Sequence, residues 1–323
     1  MHYSELLQQL HSLKGKTLIT FHSLGDVEAV ASAIALSKLL QNCTVKSPDH
    51  TNSASRHLLE KLAVEKIAIL KPGEIAAYNN VVLVDVANKD MLADFGDELA
   101  SFKGKVIAID HHEHGNMLKN AKIFEFPNRT SCCEVIYDLY RVSGKKISSK
   151  TAALLLAGII SDTARFKTAN KQTFQAVPQL LIASGKKYED VLQMVKTSRD
   201  SSEVKNVLKA LQTAELIETG KGIIGIVHAN AFEARCAAEL IHIGCAVGIC
   251  VNVKVGRIAM VKNTESTGSE RVNVGKLMKE AGRDLQGSGG GHPAIGGTSG
   301  KPELVEKGLA KLVEKTKKLM DFN

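Results

Sequence analysis

Histidines and carboxylates recur in this chain at one kind of place, directly after short apolar runs. His22 closes TLITFH, with Asp26 and Glu28 in the loop and helix start that follow; Asp85 closes VVLVD; Asp110, His111 and His112 close VIAID. Asp162 follows the apolar helical stretch TAALLLAGII. In an open parallel sheet the carboxyl ends of the strands share one edge, and ligands bind in the crevice outside it. Residues far apart in sequence thus converge. So many carboxylates at one edge would repel one another at neutral pH unless cations were present. Histidine mixed with carboxylates, without cysteine, suits a catalytic divalent site of manganese, magnesium or zinc character. Two ions about 3.5–4 Å apart, sharing one carboxylate, activate water and neutralise phosphoryl charge, so phosphoester hydrolysis is the matching chemistry.

Each residue also has a plainer role open to it. His22 could be a hydrogen-bonded structural histidine, and Asp26 could cap a helix beginning near Val27. Asp85 could cap a turn at Asn88, and Asp162 could punctuate a helix end. His114 is expected at the surface, and the small residues Ala29, Ala31, Ser32, Ala33 and Ala35 are expected to seat a helix tightly on the sheet.

The elements that must position these groups read as α/β. Apolar runs at 17–22, 43–48, 66–70, 81–85, 106–110 and 121–126 alternate with helical segments, the βαβ pattern. Several lack polar alternation, as strands covered on both faces do, so a largely parallel sheet flanked by helices is expected. Helices are predicted over 132–143, 148–161 and 172–184. Residues 188–220 read as a helical linker without strand signal, which leaves an N-terminal domain of residues 1–187. A smaller α/β domain is expected over 221–323, with strands in 221–229, 245–256 and 257–263. Its helices align Val274, Leu277, Met278, Ala281 and Leu285, then Val305, Leu309, Leu312, Val313 and Met320. Between them GSGGGHPAIGGTSG is half glycine, which in isolation reads as a flexible connection.

Composition sets the outer bounds. The chain has 323 residues, 44% hydrophobic and 24% charged, which supports a buried core and excludes disordered and fibrous classes. No apolar run approaches the ~20 residues of a membrane span, and no secretory signal is visible, so a cytoplasmic protein is expected. Cys132 and Cys133 are adjacent and no CxxC occurs, so the six cysteines are expected to be reduced. The net charge of +8 favours an anionic partner. GGTSGKP lacks P-loop spacing, and GSGGGH follows a helix instead of a strand, so neither is a nucleotide-loop fingerprint.

The motifs together resemble the DHH family of phosphoesterases. Asp110, His111 and His112 are the naming triplet; FHSLGDVEAVASA, VDVAN, RTSCCEVIY and GIISDTARF resemble its other segments in order; SERVNV and GSGGGHPAIGG resemble the accessory DHHA1 domain. The resemblance implies one metal held by His22, Asp26 and Asp85, and a second by Glu28, Asp85, His111 and Asp162, with Asp85 bridging. It implies His112 facing the substrate phosphate, Asp110 orienting the histidines, and hydroxide between two Mn2+ or Mg2+ ions attacking phosphorus. Arg271 and His292, with Gly290 and Gly291 permitting close approach, are implied to grip phosphate, with the active site in the cleft between domains. Glu28 stands where the family usually has Asp.

The family spans several substrates. The DHHA1-like domain argues against a pyrophosphatase, and 4% aromatic residues without tryptophan argue against stacking along a long strand. The leading expectation is a metal-dependent exonuclease, similar to nano-RNase and RecJ-like enzymes, that hydrolyses short single-stranded RNA or DNA to mononucleotides. The alternatives are a 3′-phosphoadenosine 5′-phosphate phosphatase and a non-catalytic RecJ-like nucleic-acid-binding subunit. A homodimer or a replication or repair partner is the associated expectation, with no membrane involvement.

Overall fold

A computed structural model describes residues 2–112, 117–196 and 201–321. They form two compact units, Met1–Thr197 and Ser198–Asn323. The position of His114 lies outside the described residues.

The first unit runs α1 (His2–His11), β1 (Thr17–Phe21), α2 (Val27–Leu39), β2 (Cys43–Ser47), α3 (Ser53–Lys61), β3 (Ala68–Ile69), β4 (Asn80–Val84), α4 (Phe95–Ala100), β5 (Lys105–Asp110), β6 (Ala121–Glu125), α5 (Cys132–Ser143), α6 (Ser149–Asp162), α7 (Lys171–Ser184) and α8 (Tyr188–Val195). Its sheet has the order β3-β2-β1-β4-β5-β6, and every pairing is parallel. Successive side chains of a strand point to opposite faces. Val82 and Val84 of β4 accordingly enter a core with α2, α5 and α6, whereas Val81 and Leu83 enter a second core with Phe95 and Leu99 of α4. Burial on both faces explains strands that are apolar without alternation.

Helices α2 and α6 pack closely because small residues line the contact. Ala29, Ala31, Ala33 and Ala35 are fully buried. At Gly158 of α6 an added Cβ would lie 2.1 Å from Cys133 Sγ and 3.1 Å from Glu28 Cα. Only glycine lets the helix that ends in Asp162 approach so near the turn that carries Glu28.

The second unit comprises α9 (Ser201–Leu211), β7 (Glu215–Thr219), β8 (Gly222–His228), α10 (Glu233–His242), β9 (Val247–Asn252), β10 (Arg257–Lys262), α11 (Val274–Asp284), β11 (Ser288–Gly291), β12 (Ile295–Ser299) and α12 (Val305–Asp321). Its sheet has the order β11-β12-β10-β9-β8-β7, parallel only between β8 and β9. The anticipated apolar faces of α11 and α12 bury Val274, Leu277, Met278, Ala281, Val305, Leu309, Leu312 and Met320 against it.

Two expectations are corrected. The segment 188–220 is not strand-free: β7 pairs with β8 along the sheet edge, while α8 packs on α3 and α6, and α9 on α10 and β8. The glycine-rich segment is not a flexible connection. It forms the β11–β12 hairpin, whose turn is fixed because the Val274 and Gly275 amides donate to the Pro293 and His292 carbonyls at 3.0 Å each. The six cysteines are free, and five of them are buried. No described helix is long and apolar enough to cross a membrane.

Candidate metal centre

The strand register gathers the site. Phe21, Val84 and Ile109 form one row across β1, β4 and β5, so His22, Asp85 and Asp110 occupy the next level along the carboxyl edge of three adjacent strands. Asp85 leaves its strand in the left-handed region, at φ 59°, with its amide donating to the Ile109 carbonyl at 2.9 Å. A non-glycine residue adopts that conformation at a cost that the surroundings must offset, and such residues cluster at functional sites.

Asp85 is buried, and its two oxygens face different partners. Oδ2 lies 3.5 Å from His22 Nε2, which is also 3.7 Å from Asp26 Oδ1. Oδ1 lies 3.9 Å from His111 Nε2 and 3.6 Å from His112 Nδ1. His111 Nε2 is in turn 3.2 Å from Glu28 Oε1 and 3.8 Å from Asp162 Oδ2. Donor atoms thus fall into mutually close groups: His22, Asp26 and Asp85; Glu28, His111 and Asp162; and Asp85, Asp110, His111 and His112, each within 4.8 Å.

Hydrogen bonds aim the rings. His22 Nδ1 lies 2.7 Å from the Ser23 carbonyl and His111 Nδ1 lies 3.3 Å from the Arg129 carbonyl. With Nδ1–H donating to a carbonyl, each ring turns the Nε2 lone pair toward the carboxylates, as metal-ligating histidines do. Asp110, fully buried, accepts from the His111 and His112 amides at 2.7 and 3.0 Å and from His112 Nδ1 at 2.9 Å. His112 is therefore pinned by Nδ1, with about half of its side chain exposed. The capping role of Asp26 also holds: its Oδ1 accepts from the Ala29 amide at 3.0 Å at the start of α2.

The electrostatics show what this donor set lacks. Burial, together with the charges of Asp85, Asp162 and Asp26, pushes the Glu28 carboxyl well above its ordinary value. Burial, with Asp85 and Asp26, pushes Asp162 up to about 7. At His22 burial opposes the charged ring, but hydrogen bonding to Asp26 and Asp85 prevails and raises it to about 10. Alone, the cluster must retain protons to limit its repulsion; divalent cations would replace them. Oxygen donors with two imidazoles fit a hard or borderline divalent ion.

One supporting residue had no signal in the sequence. Asp49, past the end of β2, accepts from the Ser23 hydroxyl and, at 2.7 Å, from the Leu24 amide. It clamps the loop between His22 and Asp26, in which Leu24 is held at φ 58°. Ser23 is also tied through its amide to the Met91 carbonyl at 2.6 Å.

Arg271 and His292 belong to the second unit, both near the start of α11, and both are exposed. An added Cβ at Gly290 would meet open space, whereas at Gly291, with φ 141°, it would lie 2.4 Å from the Ile295 carbonyl oxygen. The hairpin itself therefore requires Gly291, and Gly290 leaves bare backbone accessible.

Residues 16–159 match the DHH family, N-terminal domain, and residues 242–318 match the DHHA1 domain. An uncharacterized protein of Methanocaldococcus jannaschii is 29% identical over 304 residues, covering 91% of this chain and 89% of its own. The cyclic-di-AMP phosphodiesterase GdpP of Geobacillus thermodenitrificans is 27% identical over 313 residues, 90% of this chain but 45% of that protein. A manganese-dependent inorganic pyrophosphatase of Methanocaldococcus jannaschii is 32% identical over 156 residues, 46% of this chain and 48% of its own. Among solved structures, an exopolyphosphatase-related protein from Bacteroides fragilis superposes with a TM-score of 0.79 at 18% identity, covering 99% of this chain and 98% of its own. Exonuclease RecJ bound to manganese gives 0.54 at 13% identity, covering 97% and 93%. At these identities the two structures show a shared fold. Ordered motifs, sheet register and both family matches agree: the chain belongs to the DHH family of phosphoesterases and carries the DHHA1 domain.

Proposed function

We propose that this metal-dependent phosphoesterase is a manganese phosphodiesterase that releases mononucleotides from short single-stranded RNA or DNA. The observation that carries the reading is Asp85, a buried carboxylate with one oxygen toward the His22–Asp26 group and the other toward His111 and His112. In this reading His22, Asp26 and Asp85 hold one cation, and Glu28, Asp85, His111 and Asp162 hold the other. The manganese named for the pyrophosphatase relative and for the RecJ structure supports that choice of ion.

When bound, the cations supply Lewis acidity toward a phosphoryl oxygen and lower the pKa of water. The protein residues do the rest. His22 and His111 keep their Nε2 atoms aimed by bonds to backbone carbonyls. His112 is held through Nδ1 by Asp110, whose hydrogen bond raises the ring's pKa above its ordinary value, and its exposed edge faces a phosphate oxygen. Arg271 and His292 bind a phosphate of the substrate, Arg271 through its planar fork.

A nucleotide-type substrate is supported by the cyclic-di-AMP phosphodiesterase and RecJ relatives. The test is a panel of labelled RNA and DNA dinucleotides, 20-mers, 3′-phosphoadenosine 5′-phosphate, cyclic di-AMP and pyrophosphate, with Mn2+, Mg2+ or chelator. Preferential Mn2+-dependent turnover of the dinucleotides supports the reading. Preference for 3′-phosphoadenosine 5′-phosphate replaces it with the phosphatase, and metal binding without turnover of any substrate replaces it with the binding subunit.

A further inference from the structure

The first unit has a basic feature at the opposite end of the two helices that carry metal-centre carboxylates. Glu28 lies in the first turn of α2 and Asp162 ends α6. The last turn of α2 and the first turn of α6 instead border a cavity of about 830 Å³. From Ser148 to Asp162 the helical rise of ~1.5 Å per residue places it about 20 Å from the metal centre.

Five lysines line this cavity, Lys38, Lys66, Lys145, Lys146 and Lys150, against one carboxylate, Glu65. Among the described residues none of the five pairs with a carboxylate. Lys145 donates to the Lys38 and Leu39 carbonyls at 2.6 and 3.2 Å, satisfying the end of α2, and Lys150 donates to the Ala63 carbonyl at 3.0 Å. Those bonds fix the two side chains without neutralising them. Ser148 caps α6, so the positive end of a 14-residue helix adds to the same field. Ile34, Val45, Val64, Ile67 and Leu154 supply an apolar floor.

We propose that this cavity is a second ligand site, separate from the metal centre, for a nucleotide carrying more than one phosphate. Uncompensated lysines at the end of a helix recognise phosphate charge, and the apolar floor accepts a base. The volume is within the usual range of small-molecule pockets, about 300–1,000 Å³. The site is independent of which substrate the metal centre hydrolyses.

The test is equilibrium titration of fluorescently labelled ATP into the full chain in EDTA, which keeps divalent cations from the metal centre. Saturable one-to-one binding is expected, weakened at least about tenfold, or ~1.4 kcal/mol, in a K66E/K146E double variant and unchanged in R271A. Unlabelled ATP should compete more strongly than inorganic triphosphate. Absence of saturable binding, or binding lost in R271A and retained in K66E/K146E, overturns the site. Triphosphate competing as well as ATP overturns the nucleotide assignment. Circular dichroism of each variant confirms that the fold is retained.

Discussion

The carboxylate of Glu28 accepts a hydrogen bond from the backbone amide of Cys132 at 2.9 Å, joining the first turn of α2 to the first residue of α5. Its other oxygen, at 3.2 Å from His111 Nε2, faces the cluster. The methylene by which Glu exceeds the family's usual Asp therefore lets one side chain reach a helix N-terminus and the metal centre together. Glu28→Asp should lose one of these contacts and weaken one of two Mn2+ binding steps by about tenfold, the worth of one charge-assisted hydrogen bond. Calorimetric titration with Mn2+ checks this; two unchanged binding steps would show that the reach of Glu28 is immaterial.

Asp85→Ala should reduce hydrolysis by at least about a thousandfold with either Mn2+ or Mg2+, because both donor groups lose their common member. Metal content after gel filtration should fall below one ion per chain. Appreciable turnover in this variant would contradict the shared-carboxylate arrangement.

The apo protein should become less stable as pH rises. Asp162 titrates at about 7 in the folded chain against an ordinary 3.8, so its folded form binds protons more tightly and stability falls between about 4 and about 7. His22, at about 10 against 6.5, adds stability that is complete below about 6.5 and lost toward about 10. Both slopes have the same sign. Thermal melts in chelator from pH 5 to 9 should show a falling Tm, while the stabilisation gained from added Mn2+ should grow over the same range because ligand protons no longer compete. A metal-induced shift that shrinks with pH would oppose this assignment.

Gly158→Ala should destabilise the first unit by about 1–3 kcal/mol, the usual cost of overpacking, since its Cβ would fall 2.1 Å from Cys133 Sγ. Adding Cys133→Ala should recover part of that loss, a coupling that a double-mutant cycle in urea measures directly. Additive effects would mean that the helices separate instead.

His292→Ala should raise KM about tenfold and leave bound Mn2+ unchanged, the pattern of lost substrate capture. Loss of metal in this variant would place His292 among the ion ligands instead.

Much of the site was legible because the strands are buried on both faces: a run such as VIAID is conspicuous, and so is the polar triplet that ends it. The residues His22, Asp85 and Asp110 needed only a parallel sheet to meet, and the register supplies it. What escaped was structure that side chains do not encode locally. The strands β11 and β12 consist largely of glycine, which has low strand preference, and their turn is anchored by amides of α11 rather than by their own sequence. The edge strand β7 leaves Glu215, Leu216 and Glu218 exposed, without a clean alternation, and reads like the helices before it. Asp49 carries no motif, and its role arises only when β2 places it beside the loop of Ser23 and Leu24.

The most direct measurement is anomalous diffraction at the manganese edge from crystals grown with Mn2+. Two peaks are predicted, one beside His22 and Asp26 and the other beside Glu28, His111 and Asp162, with Asp85 touching both. A single peak, or two peaks of which only one contacts Asp85, would contradict the account.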